Sequence, residues 1–204
     1  MRFCMRINIP NILTWGRIAL IPVFIGVFYL PDGWVGVTQK NVLATVIFVV
    51  AALTDWLDGY LARVLKQTSA FGAFLDPVAD KLMVAASLIM LVQLETETGS
   101  GKPRVDMIVS IIIIGREITI SALREWMARE GQSANVAVAY VGKLKTAAQM
   151  TAIPMLLLNA PLLGMNMHIV GSILIYIAAA LTLWSMGYYL HRAMVGLSKK
   201  IDST

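Results

Sequence analysis

The chain has 204 residues, is 58% hydrophobic and 14% charged, and has a mean hydropathy of +0.73. A soluble domain of that size needs far more polar surface, so composition points to a polytopic membrane protein. The net charge of +5 would suggest nucleic acid in a soluble protein. Here the basic residues mostly flank apolar segments, where they act as topology signals, and no nucleic-acid partner is expected.

Six segments approach the roughly 20 residues that a helix needs to cross the hydrocarbon core. They lie near 12–30, 42–65, 71–94, 105–129, 145–163 and 168–190. The first follows Arg2 and Arg6 in the manner of a secretory signal. It is long for one and lacks a small-residue cleavage site before Pro31-Asp32-Gly33, so a retained first span is expected. Lys66-Gln67-Thr68-Ser69 links the second and third segments, and Thr98-Gly99-Ser100-Gly101-Lys102-Pro103 precedes the fourth. Pro154 and Pro161 interrupt the fifth and weaken it. Cys4 is the single cysteine, which excludes an internal disulfide.

No linker or repeat divides the chain. The expectation is an all-α bundle of six transmembrane helices in one domain, 1–204. A short juxtamembrane segment, 1–11, would precede the helices and a cytoplasmic C-terminal tail would follow residue 190. Arg2, Arg6, Arg63, Lys66, Arg124, Arg129, Lys143, Lys145, Arg192, Lys199 and Lys200 gather at one set of segment ends, against Lys40, Lys102 and Arg104 at the other. That asymmetry puts both termini in the cytoplasm, together with the 66–69 connection and the basic 124–145 region.

Residues 55 to 80 set four aspartates in this apolar background, in the pattern D-x2-D-G-x2-A-R-x8-G-x3-D-x3-D. Its fixed positions are Asp55, Asp58, Gly59, Ala62, Arg63, Gly72, Asp76 and Asp80. Acids at bilayer depth cost several kcal/mol each unless paired or coordinated. A helix turns 100° per residue, so Asp55, Asp58, Gly59 and Ala62 share one face and Gly72, Asp76 and Asp80 share another. The short polar link makes the two helices antiparallel neighbours whose faces meet across a single cleft. Small residues at Gly59, Ala62 and Gly72 keep that cleft open.

Oxygen ligands without a His or Cys cluster select Mg²⁺, Mn²⁺ or Ca²⁺, and two such ions would balance four acids. Paired divalent ions are a device for in-line phosphoryl displacement. Arg63 adds a phosphate contact at the cleft mouth. A lone aspartate at a helix end is usually a cap, but four at this spacing outweigh that reading. An ion or proton pathway is the stronger rival, since transporters also line cavities with acids. Against it, the acids cluster toward one membrane face and the chain shows no inverted halves.

The Asp55–Asp80 pattern resembles the signature of the CDP-alcohol phosphatidyltransferases at every position. Asn8-Ile9-Pro10-Asn11-Ile12-Leu13-Thr14, with Arg17, is similar to the family's N-terminal stretch. Ile114 to Ala128 and Gly142-Lys143-Leu144-Lys145-Thr146-Ala147-Ala148-Gln149-Met150 resemble the branch that uses glycerol 3-phosphate as acceptor. The resemblance implies six transmembrane helices, a homodimer and a polar cavity open to the cytoplasm, with a bacterial inner membrane as the expected location. It implies CDP-diacylglycerol as donor, sn-glycerol 3-phosphate as acceptor, and two divalent cations, Mg²⁺ or Mn²⁺.

On the same resemblance Asp55, Asp58, Asp76 and Asp80 hold metal, and Asp80 is the candidate general base. CDP-diacylglycerol lies near Asp55, Gly59, Ala62, Arg63 and Gly72. Arg116, buried in an apolar helix, needs an anion, and the acceptor's phosphate is preferred over Glu117 or an aspartate for that role. Arg124, about 80° further round, sits on a compatible side. Lys143 and Lys145 diverge by about 200° and reach one ligand together only if Gly142 begins an irregular turn. Asn11, Thr14 and Arg17 are accessory cavity candidates. Inositol phosphate, serine, choline and a second phospholipid are acceptors in other branches that share the aspartates.

Overall fold

The computed structural model describes residues 9–65, 70–96, 101–129, 140–162 and 164–201. Six helices account for most of them: α1 Ile9–Phe28, α2 Val37–Leu65, α3 Ala70–Gln93, α4 Met107–Arg129, α5 Tyr140–Leu158 and α6 Met167–Ile201. A two-residue antiparallel pair, β1 Pro161–Leu162 with β2 Met165–Asn166, turns the chain from α5 into α6.

Each helix buries a stripe at helical spacing. On α2 the stripe runs Asn41, Ala44, Phe48 and Ala51; on α4 it runs Val109, Ile113, Arg116, Ile120 and Met127. On α5 it runs Lys145, Gln149, Ala152, Ile153, Leu156 and Leu157. These rows meet in a core of Phe24, Phe48, Met83, Leu88, Leu91, Ile113, Ile153 and Leu156, among others. Outside, the pattern is inverted. Ile108, Ile111, Ile118, Leu53, Ile173 and Trp184 are exposed, while Arg17, Lys145 and Gln149 are inside. An apolar exterior of this extent fits lipid rather than water. Among the described residues two helices, Val37–Leu57 and Met167–Tyr188, are long and apolar enough to cross a membrane. Leu13–Phe28 and Leu144–Leu158 form shorter apolar stretches.

Several boundaries differ from the sequence-based expectation. α5 begins at Tyr140 and ends at Leu158, not 145–163. Asn159 ends it by taking φ 47°, and its N–H donates to Met155 O at 3.1 Å, a left-handed helix stop. Pro161 therefore lies beyond the helix in β1, and of the two prolines only Pro154 is inside it. α6 runs on to Ile201 where a tail was expected, because residues 191–201 contain no proline and are rich in helix formers. Bilayer thickness limits a span, but it does not end a helix.

Among the described residues Asp55 of α2 and Asp80 of α3 line one cavity, which Arg17 of α1 and Met150 of α5 also border. At the other end of the bundle Lys40 Nζ donates to Leu30 O and to Asp32 Oδ1 at 2.7 Å. Arg104 donates to Glu95 O at 3.0 Å and to Leu157 O at 2.9 Å. Both cations satisfy carbonyls at the ends of apolar helices, α1 and α5, where the helix dipole favours positive charge.

Candidate active site

The buried stripes change character toward one end of the bundle. Thr14 and Arg17 lie in the first half of α1, Asp55 in the second half of α2, and Asp80 near the middle of α3. Arg116 and Glu117 lie midway along α4, Lys145 in the first half of α5 with Gln149 at its midpoint, and Thr182 and Ser185 near the middle of α6. Hydrogen bonds between helices and shared cavity walls bring several of these positions together.

Two small cavities open there. The first, of about 10 Å³, is lined by Arg17, Phe48, Ala51, Asp55, Asp80 and Met83, among others. The second, of about 50 Å³, is lined by Asp80, Lys81, Glu117, Lys145, Thr146 and Gln149, with Val84 and Met150. Asp80 borders both, so its carboxyl stands where an aspartate lobe meets a cation lobe.

The charges are paired across helices. Arg17 Nη1 donates to Asp55 Oδ1, tying α1 to α2. Lys145 Nζ donates to Glu117 Oε1, tying α5 to α4. The same oxygen lies 3.4 Å from Arg116 Nη1, and Arg116 Nη2 donates to Ser185 Oγ at 3.1 Å. Ser185 in turn donates to Thr182 O at 3.0 Å. Lys81 Nζ donates to Ser121 Oγ. Buried ions demand such partners, because desolvation outweighs what an unpaired charge recovers.

Of the expected site residues, Asp55, Asp80 and Lys145 line these cavities, and Arg17 joins them as a direct neighbour of Asp55. Thr14 is buried on the α1 face that carries Arg17. Arg116 is buried and meets Glu117, the partner ranked second in the sequence reading. α5 is regular from Tyr140 onward, so Gly142 begins no irregular turn. The side chains of Asn11, Asp58, Gly59, Ala62, Arg63, Gly72, Asp76, Arg124 and Lys143 lie outside the described residues, although their backbones lie in α1 to α5.

Sequence reasoning missed Lys81, Ser121, Gln149 and Ser185 as neighbours of the site. Gln149 had a usable signal, since it lies four residues after Lys145 and so on the same helix face. Asp55 and Asp80 offer the hard carboxylate oxygens that a divalent cation takes. Among the described residues no third His, Cys, Asp or Glu joins them. With Asp58 and Asp76 on the same two helices, the donor chemistry fits a hard divalent cation.

The chain has sequence relatives of known family. Residues 7–184 match the family described as CDP-alcohol phosphatidyltransferase. A protein of Haemophilus influenzae named CDP-diacylglycerol–glycerol-3-phosphate 3-phosphatidyltransferase is 48% identical over 198 residues, covering 97% of this chain and all of the relative. Proteins of the same name from Pectobacterium atrosepticum and Yersinia pestis are 48% and 47% identical, each over 93% of this chain and 96% of the relative. The chain belongs to the CDP-alcohol phosphatidyltransferase family.

Proposed function

We propose that this chain transfers the phosphatidyl group of CDP-diacylglycerol to sn-glycerol 3-phosphate, giving phosphatidylglycerol phosphate and CMP. The observation that carries the reading is the position of Asp80, with the signature carboxylate Asp55 on one side and the cation Lys145 on the other. The relatives' shared name points to the same reaction.

In this reading all six helices cross a bacterial inner membrane, the cleft opens to the cytoplasm, and two copies pair as a homodimer. The acyl chains of the donor stay in lipid along the apolar exterior, which explains an intramembrane site. Asp55, Asp58, Asp76 and Asp80 would hold two divalent cations, Mg²⁺ or Mn²⁺. When bound, these ions neutralise the pyrophosphate and the charge that develops on the departing CMP. The donor's cytidine and phosphates lie along Gly59, Ala62, Arg63 and Gly72. Arg17 holds the Asp55 carboxylate in place.

Lys145 and Arg116 take the acceptor's phosphate, with Arg124 and Lys143 nearer the cytoplasmic mouth. The acceptor's primary hydroxyl attacks the lipid-side phosphorus, the pyrophosphate bond to CMP breaks, and Asp80 receives the hydroxyl proton.

The test uses purified protein in detergent with CDP-diacylglycerol and radiolabelled glycerol 3-phosphate, with inositol phosphate and serine as parallel acceptors. Label should enter the lipid phase with glycerol 3-phosphate alone, stop on chelation and return with Mg²⁺ or Mn²⁺. Labelling only with another acceptor overturns the acceptor assignment. Cation flux in proteoliposomes without CMP release overturns the reaction itself.

A further inference from the structure

Lys145 and Gln149 sit one turn apart on the inward face of α5, 2% and 4% exposed. Lys145 is engaged by Glu117, but Gln149 Oε1 is buried and accepts no hydrogen bond from any described residue. Buried amide oxygens are satisfied in the great majority of folded proteins, so one left open beside a cavity can accept from a donor that enters that cavity. The cavity beside it is about 50 Å³, room for roughly three or four waters or a short polyol. Its other polar walls are Asp80, Lys81, Glu117, Lys145 and Thr146.

We infer that Gln149 is a specificity-determining residue that accepts a hydrogen bond from the free secondary hydroxyl of the acceptor. The inference rests on the reading of this cavity as the acceptor site and deepens it. An acceptor with its phosphate on Lys145 and Arg116 and its reacting hydroxyl toward Asp80 has one polar group left, the central hydroxyl. Gln149 borders the space between those two ends. Lys145 follows charge and cannot distinguish one alkyl phosphate from another. An amide oxygen that stays unpaired unless a hydroxyl is present rejects the analogue that lacks it.

The test compares glycerol 3-phosphate with 3-hydroxypropyl phosphate, which keeps the phosphate and the primary hydroxyl but lacks the secondary one. The parental enzyme should prefer glycerol 3-phosphate by about 30-fold or more in kcat/KM. Gln149→Met, close in shape but with no oxygen, should reduce that preference to about threefold or less, mainly by losing activity on glycerol 3-phosphate. Gln149→Asn, with the amide one bond shorter, should retain an intermediate preference. No preference in the parental enzyme overturns the proposal, a result that does not depend on any variant folding. An equal loss on both acceptors in Gln149→Met also overturns it, since a merely structural role predicts that pattern. Lys145→Ala separates the two levels: it should raise KM for both acceptors alike. If it leaves both unchanged, the cavity is not the acceptor site and the underlying reading fails first.

Discussion

Arg17 of α1 lies against the Asp55 carboxylate of α2, so the first aspartate of the signature is held from a helix 38 residues away in sequence. The arginine is 2% exposed and the aspartate side chain 40%. α1 thus brings a charged group to the proposed site as well as Phe24 to the apolar core.

Replacing Arg17 by Met should weaken both the fold and the donor site. Breaking a fully buried ion pair costs about 3–5 kcal/mol, but Asp55 is partly screened by solvent, so about 1–3 kcal/mol is expected. Thermal unfolding in detergent reads the loss, and the KM for CDP-diacylglycerol should rise with it. Arg17→Lys should recover part of both effects. An unchanged melting temperature and donor KM in Arg17→Met would mean that the pair has no role.

Asp80→Asn should abolish turnover and leave a folded protein, because the amide keeps the shape and loses both charge and basicity. Removing a general base typically costs about 10²–10⁴-fold in rate. Size-exclusion profile and melting temperature should match the parent, while label incorporation falls by that factor or more. Near-parental activity in the purified variant would remove Asp80 from both the base and the metal-ligand roles.

These expectations show which parts of the site were legible in sequence. Asp55 and Asp80 announced themselves, since acids in apolar helices need a reason to be there. Their partners did not. Arg17 and Asp55 are 38 residues apart, and Lys145 and Glu117 are 28 apart. Such pairs depend on which helices pack together, and hydropathy along the chain does not report that: α1 packs on both α2 and α3, and α5 on α2 and α6. Periodicity placed the six helices well in their interiors and poorly at their ends. The end of α5 depends on a left-handed Asn159, and nothing in the hydropathy of 145–163 reports that turn.

Arg116→Ala and Lys145→Ala should each raise the acceptor's KM by tenfold or more while changing the donor's by less than about threefold. Because both cations approach Glu117 Oε1, the two changes should not add. A double-mutant cycle should give a coupling of about 0.5–3 kcal/mol, as groups in one network do. Equal effects on donor and acceptor would undo the acceptor-site assignment. Strict additivity would mean that Glu117 does not link them.

Gly171 tests whether the cation lobe depends on how α5 is seated. A Cβ at this position of α6 would stand 2.8 Å from Leu156 Cγ and 3.2 Å from Ala152 O. The leucine side chain can yield, but the backbone oxygen moves only if α5 moves. Small residues at such crossings let helix backbones approach closely. Gly171→Ala should therefore be mildly destabilising, and Gly171→Val should cost about 1–3 kcal/mol through overpacking. Lys145 and Gln149 lie on the same inward stripe of α5 as Ala152 and Leu156, so the displacement should reach them. Acceptor KM should rise in Gly171→Val more than donor KM, although residue 171 lies on α6 and lines neither cavity. Melting temperature and the two KM values, measured on one preparation, decide the matter. If Gly171→Val melts like the parent, α5 and α6 are not tightly apposed there. A lower melting temperature with unchanged acceptor KM would mean that the strain is absorbed before it reaches the site.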